Sequence, residues 1–408
     1  MTADAVGGVW QYATELAGAL VPLGIETTIA VVGPSASRNF RHPRESGDPA
    51  SSPPSAISGI PAVAGMTVVE TGLPLDWLSS GPEPVLAAGD AIVALARDLG
   101  ADLVHLNSPT LAARARFAQP VVAVEHGSVA CWWEAARAEP LAPDFAWHAE
   151  LMREGLLGAD AAVAPTRAYA AAVQRRYALP RAPHAVDNGR TPLPLTPAPQ
   201  ADYAFTAGRL WDEVKRTPLL DRVAALTPVR AAGALASPGG DAIGAENLQL
   251  LGPLSAAELG RELAARPVFV SAASFEPFGL AVLEAAQAGC PLVLSDIAAF
   301  RELWDGAALF VSGENPRDWA DAIEQAKRDR ATLAHAAQAR AARYTPQATA
   351  AAMAQIYTRL LSQGTASNPV RAELVEARAT APAVARESCP STSSGRTGVG
   401  AQVEARAA

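Results

Sequence analysis

The chain has 408 residues, half of them apolar, which is enough for two domains that each bury a core. A formal net charge of −8 argues against a nucleic-acid binder, whose surface is usually basic. Three widely spaced cysteines, Cys131, Cys290 and Cys389, form neither a disulfide framework nor a metal-ligand pattern, and a reducing compartment fits them.

The opening Met1-Thr2-Ala3-Asp4 has no basic stretch leading into an apolar one, so no secretory signal is expected. No run of about 18 apolar residues is free of charge, so no membrane span is expected either. A cytoplasmic α/β protein is the expectation. A helix should start at about Gly8, with Trp10, Ala13, Ala17 and Leu20 on its apolar face. A doubly wound domain should open with a strand, yet Met1 to Ala5 can supply only its end. Either that central strand is stunted, or the true start lies upstream of Met1.

Buried strands are expected at residues 29–32, 103–106, 121–124 and 161–164. Residues 188–201 hold four prolines and little periodicity, and read as a linker. Beyond it, strands are expected at 203–205, 229–232, 248–251, 268–270 and 292–294. Near-continuous apolar strands separated by Ala-rich helical segments mean parallel sheets covered on both faces. Two doubly wound domains follow. Two stretches break the pattern. Residues 35–61, rich in Arg, Ser and Pro, read as an inserted, disordered surface loop. The tail from about Gly364 carries Val375-Glu376-Ala377-Arg378-Ala379 and again Val403-Glu404-Ala405-Arg406-Ala407, and reads as a disordered, repeat-derived extension.

Most of the chemistry is legible between residues 268 and 295. A strand leads into Ser274-Phe275-Glu276-Pro277-Phe278-Gly279-Leu280, then into an Ala-rich helix that carries Glu284. Pro277 suits the first turn of that helix, and Gly279 lets the backbone approach a ligand closely. The free N–H groups of the turn and the helix dipole make an anion site beyond the carboxyl end of a parallel sheet. Two carboxylates beside such a site suit a ligand with a phosphate in the middle and hydroxyls at both ends. A nucleotide sugar has that shape.

The Glu-Pro-Phe-Gly-Leu run, with a second Glu eight residues after the first, resembles the Glu-x7-Glu motif of glycosyltransferase family 4. The resemblance covers about residues 5–362, apart from 35–61, and implies the GT-B architecture: two Rossmann-like parallel-sheet domains facing each other across a cleft. It assigns residues 1–190 to an acceptor-side domain, 201–343 to a donor domain, and 344–362 to a helix crossing back to the first domain. By resemblance, Glu276 contacts the hydroxyls of the donor sugar and steadies its developing positive charge. Glu284 holds the ribose hydroxyls, and the Phe278-Gly279-Leu280 backbone meets the sugar or phosphates.

Gly208-Arg209-Leu210 followed by Lys215 resembles the family's phosphate clamp, in which two cations replace a divalent metal on the leaving pyrophosphate. Lys215 is one of only two lysines in the chain, and it stands six residues after Arg209, where many family members have five. Surface Arg and Lys paired with Asp212 and Glu213 is the plain alternative. Gly7-Gly8 resembles the family's glycine-rich loop. His126, at the end of the strand 121–124, matches a histidine that can donate a hydrogen bond to the donor sugar. Trp132 and Trp133 are either an acceptor platform or core, and Asp187-Asn188-Gly189 matches the hinge turn.

The resemblance implies retaining transfer by a front-face route, with no cofactor, no metal and no dedicated catalytic base. The implied partners are a nucleotide-diphosphate sugar and a glycan or lipid-linked acceptor, in polysaccharide assembly with transient membrane contact, and no nucleic acid. Two rivals stay open at this point: a nucleotide-sugar epimerase of the same architecture, and a catalytically impaired nucleotide-binding relic. No Gly-x-Gly-x-x-Gly follows a strand, which disfavours a dehydrogenase.

Overall fold

The computed structural model describes residues 1–4, 8–33, 65–237, 240 and 242–363. The expected insertion at 35–61, the tail from about Gly364, Gly7 and Cys389 lie outside the described residues. The first half runs β1 (Thr2–Asp4), α1 (Gly8–Leu20), β2 (Thr27–Val32), β3 (Met66–Glu70), α2 (Pro82–Asp98), β4 (Val104–Leu106), β5 (Val121–Val124), α3 (Val129–Ala136), α4 (Ala146–Gly158), β6 (Ala161–Ala164), α5 (Arg167–Arg176) and β7 (His184–Ala185). The second half runs β8 (Ala204–Ala207), α6 (Thr217–Ala224), β9 (Val229–Ala232), β10 (Gln249–Gly252), α7 (Ala256–Ala264), β11 (Val268–Ser271), α8 (Leu280–Gln287), β12 (Leu292–Ser295), α9 (Ala298–Trp304), β13 (Leu309–Val311), α10 (Pro316–Arg328), α11 (Arg330–Ala341) and α12 (Pro346–Gln363).

Every pairing within these strands is parallel. The second sheet has the order β10-β9-β8-β11-β12-β13. Its central strands are buried on both faces, and successive residues enter opposite cores. Phe205, Phe269, Leu292 and Leu294 pack toward α8 and α11, whereas Ala204, Val268, Val270 and Val293 pack toward α6 and α10. That double burial is why these strands read as unbroken apolar runs.

In the first half, ladders run β1-β2-β3 and β4-β5-β6-β7. Side chains rather than a ladder close the seam between β1 and β4. The Asn107 backbone N–H donates to Thr2 Oγ1 at 2.9 Å, and Asn107 Nδ2 donates to Thr2 O at 2.7 Å. β1 is therefore present, three residues long and central. On one face Tyr12, Leu16 and Leu20 of α1 meet Met353, Ile356, Tyr357 and Leu360 of α12, so the last helix packs against the first domain. Each such burial is worth about 1.5–3 kcal/mol. Among the described residues no helix is long and apolar enough to cross a membrane.

Three strands were not expected from the sequence: β3, β7 and β13. All lie at sheet edges, and their residues are half-buried or exposed apart from Val311. Pro277 was expected inside the first turn of α8 but precedes it. The helix opens at Leu280 behind Gly279, whose φ of 91° and ψ of 68° lie in the left-handed region.

Candidate active site

A cavity of about 330 Å³ opens where the carboxyl ends of the two sheets face each other. Asp4, Asn107, Glu125, His126 and Gly8 line it from the first half, and Arg209, Lys215, Glu276 and the turn Phe278-Gly279-Leu280 from the second. The halves are clasped around it. Thr166 Oγ1 donates to Pro277 O at 3.0 Å, and the Glu302 carboxylate of α9 accepts from the Arg167 and Ala168 amides at the start of α5, at 3.0 and 2.7 Å.

The two motifs of the second half meet. Lys215 Nζ donates to Glu276 Oε2 at 2.6 Å, so Lys215 pairs with Glu276 rather than with neighbouring Glu213. Lys215 closes a short 3-10 turn over Glu213–Lys215, which is followed by Arg216 at a φ of 53°. Arg209 donates to Asp212 Oδ2 at 2.9 Å, with its side chain still 46% exposed. Asp212 is fully buried and also accepts from Trp132 Nε1 at 2.8 Å, across the interface.

Gly279 holds a left-handed backbone conformation, at a φ of 91°, that side chains rarely adopt. A Cβ there would come within 3.1 Å of Phe300 and 3.2 Å of the Glu276 side chain. Phe278 points into the core against the Tyr344 ring, so only its backbone faces the cavity. Leu280 instead reaches across toward Gly8, where a Cβ would lie 3.4 Å from its Cδ1.

Glu284 is not on the cavity wall. Its buried carboxylate accepts from Arg190 Nε at 2.7 Å, while Arg190 also donates to Glu15 of α1 at 2.6 Å. Burial raises the Glu284 carboxyl above the usual range, and the Arg190 guanidinium offsets part of that rise. The linker arginine thus joins α1 and α8, a connection that no spacing in the sequence announces.

His126 packs edge-on against Tyr12, with ring centroids 4.5 Å apart, and burial pushes its imidazole down to about 4. One ring nitrogen is already engaged, because Nε2 meets Asn107 Oδ1 at 2.8 Å. Neighbouring Glu125 is buried, and burial pushes its carboxyl up to about 7 despite the Tyr169 and Ser128 hydroxyls beside it. Trp132 and Trp133 are both buried against Val214 of the second half, so neither offers an open platform for an acceptor. Asn107, Arg190 and Glu125 carry no signal of their own in the sequence, and Asp212 is legible there only as a surface partner of Arg209, a pairing that the structure contains with Asp212 buried. The Glu-His pair at a strand end could still have flagged Glu125; Asn107 and Arg190 become visible only through long-range contacts.

The family description "Glycosyltransferase Family 4" matches residues 6–190, and "Glycosyl transferases group 1" matches residues 242–344, which contain Glu276 and Glu284. The chain belongs to glycosyltransferase family 4. Arg209 and Lys215 fall between the two matched segments of this family 4 chain. The Escherichia coli serotype-specific mannosyltransferase WbdA is 42% identical over 65 residues, 16% of this chain and 8% of that protein. The D-inositol 3-phosphate glycosyltransferase of Paenarthrobacter aurescens is 38% identical over 74 residues, 18% of each chain. The matches thus span less than a fifth of the curated relatives' length. Among solved structures, sucrose-phosphate synthase of Thermosynechococcus elongatus superimposes with a TM-score of 0.68 at 18% identity, over 88% of this chain and 95% of that one. Anabaena HepE in complex with UDP-glucose gives 0.62 at 16% identity, over 88% and 98%. At these identities the likeness is one of fold: the family 4 chain has the GT-B architecture.

Proposed function

We propose that this protein is a retaining glycosyltransferase that moves a sugar from a nucleotide-diphosphate sugar to a hydroxyl of a glycan or lipid-linked acceptor, without a metal. The observation that carries the reading is the Lys215–Glu276 contact in the cavity between the two sheets. It puts a cation suited to a leaving phosphate beside a carboxylate suited to a sugar ring, at the mouth of a helix whose first residues line the same space.

The donor diphosphate draws Lys215 and the half-exposed Arg209 toward its oxygens. Lys215 then releases Glu276 to the sugar hydroxyls. As the bond between the anomeric carbon and the phosphate oxygen breaks, the two cations balance the negative charge gathering on the diphosphate, and Glu276 balances the positive charge on the ring. The acceptor oxygen bonds to the same face of the anomeric carbon, and its proton passes to the departing phosphate oxygen. No side chain has to act as base. The clasp around the cavity excludes water and so favours transfer over hydrolysis.

HepE, a protein of the same fold, holds UDP-glucose, which supports a nucleotide-sugar donor; the short WbdA match supports a hexosyl group. A cytoplasmic site and a role in polysaccharide assembly belong to the same reading. The test is acceptor-dependent release of free nucleoside diphosphate, with the anomeric configuration of product and donor compared by NMR. Release only with acceptor and an unchanged configuration are expected. An inverted product, or release of nucleotide at the same rate without acceptor, contradicts it.

A further inference from the structure

We propose that Asn107 is a positioning residue that fixes the His126 imidazole as the tautomer bare at Nδ1, so that the cleft offers a sugar hydroxyl a hydrogen-bond acceptor. The proposal rests on the reading of the cleft as a sugar-transfer site, but its first test does not.

The orientation of the Asn107 amide is fixed by Thr2. A backbone carbonyl can only accept, so the atom 2.7 Å from Thr2 O is the amide nitrogen. The amide oxygen therefore faces the two imidazoles, His105 Nε2 at 3.0 Å and His126 Nε2 at 2.8 Å. An oxygen cannot donate, so both Nε2 atoms carry the proton, and the two lone pairs of Oδ1 are filled. Burial holds both rings neutral, pushing His105 down to about 3 and His126 to about 4. A neutral ring with a proton on Nε2 is bare on Nδ1.

The His105 end agrees. Its Nδ1 lies 2.7 Å from the Tyr357 hydroxyl, which can donate. The chain of bonds thus runs from Tyr357 on α12 through His105 to Asn107, and from the other side His126 donates to the same oxygen. Among the described residues only the last Nδ1 is unfilled. His126 Nδ1 takes no hydrogen bond among the described residues and is not sealed from solvent, while the residue lines the cavity. The group that completes it has to be a donor, and a hydroxyl of the transferred sugar is the donor this cavity is built to receive. Donor analogues with that hydroxyl replaced by fluorine would leave the lone pair unmatched.

Nitrogen NMR of the histidine rings in the full-length protein at neutral pH tests the tautomer directly, with the His126 signals assigned by their loss in His126→Gln. The expected result is a protonated Nε2 and a bare Nδ1. A protonated Nδ1 would overturn the proposal, whether or not the protein transfers sugar. Asn107→Ala should then lower kcat by roughly ten- to a hundredfold with nucleoside diphosphate affinity unchanged, and its His126 should show mixed tautomers. The same kcat and the same single tautomer in that variant would also overturn it. A wild-type protein that shows the bare Nδ1 but binds no nucleotide would count against the proposed function instead.

Discussion

Lys215 and Glu276 hold each other at 2.6 Å with side chains 22% and 18% exposed, close enough to neutralise one another until a charged ligand separates them. Under the proposed function the pair separates when a diphosphate and a sugar bind. Glu276→Gln keeps the shape and a weaker bond to Lys215 but cannot balance a developing positive charge. Turnover is expected to fall roughly a hundred- to a thousandfold, with nucleoside diphosphate affinity little changed. Steady-state kinetics beside calorimetry would separate the two, and an unchanged kcat would remove Glu276 from the chemistry.

Glu125 makes a prediction of a different kind. Burial pushes its carboxyl up to about 7 from an ordinary 4.5, so the folded state holds an extra proton between those values. Stability from this group is fully present below about 4.5 and is lost as pH rises through about 7, by about 3 kcal/mol in all. Glu125→Gln removes that loss. Urea denaturation should find the variant more stable than wild type at pH 8 and near parity at pH 5; equal midpoints at pH 8 would contradict the assignment.

Among the elements, the legible parts are those with one dominant local cause. Central strands such as β5 and β11 are buried on both faces and announce themselves as apolar runs, while β3, β7 and β13 are half solvated at edges and do not. Glu276, Gly279 and Arg209 were legible because a strand, a turn and a helix start fix them locally. Arg190 was not, because its role depends on Glu15 and Glu284, which are far from it in sequence. Glu284 was recognised in sequence, yet its side chain is found against the linker arginine Arg190 instead of the cavity. Arg190→Ala would leave two buried or half-buried carboxylates facing each other across the linker. It should lower stability by roughly 3 kcal/mol, measured by denaturant unfolding, and the loss should shrink in Arg190→Ala/Glu15→Gln. A loss that does not shrink would mean that Arg190 acts through something other than this charge network.

At the scale of the whole molecule, the two halves meet through contacts that favour a closed cleft: Glu302 on the start of α5, Trp132 on Asp212, and Arg190 between α1 and α8. Asp212 ties this closure to the cavity, since the carboxylate that receives Trp132 also holds Arg209, which lines it. A diphosphate that takes Arg209 from Asp212 alters the same contact that joins the domains. The central claim is that these cations receive a nucleoside diphosphate without a metal. It is tested most directly by calorimetric titration of the full-length protein with UDP, GDP and ADP in EDTA, repeated with Arg209→Ala. One diphosphate should bind unaffected by EDTA, and Arg209→Ala should weaken it roughly ten- to a hundredfold. No binding by a cooperatively folded protein, or equal binding by the variant, would contradict the account.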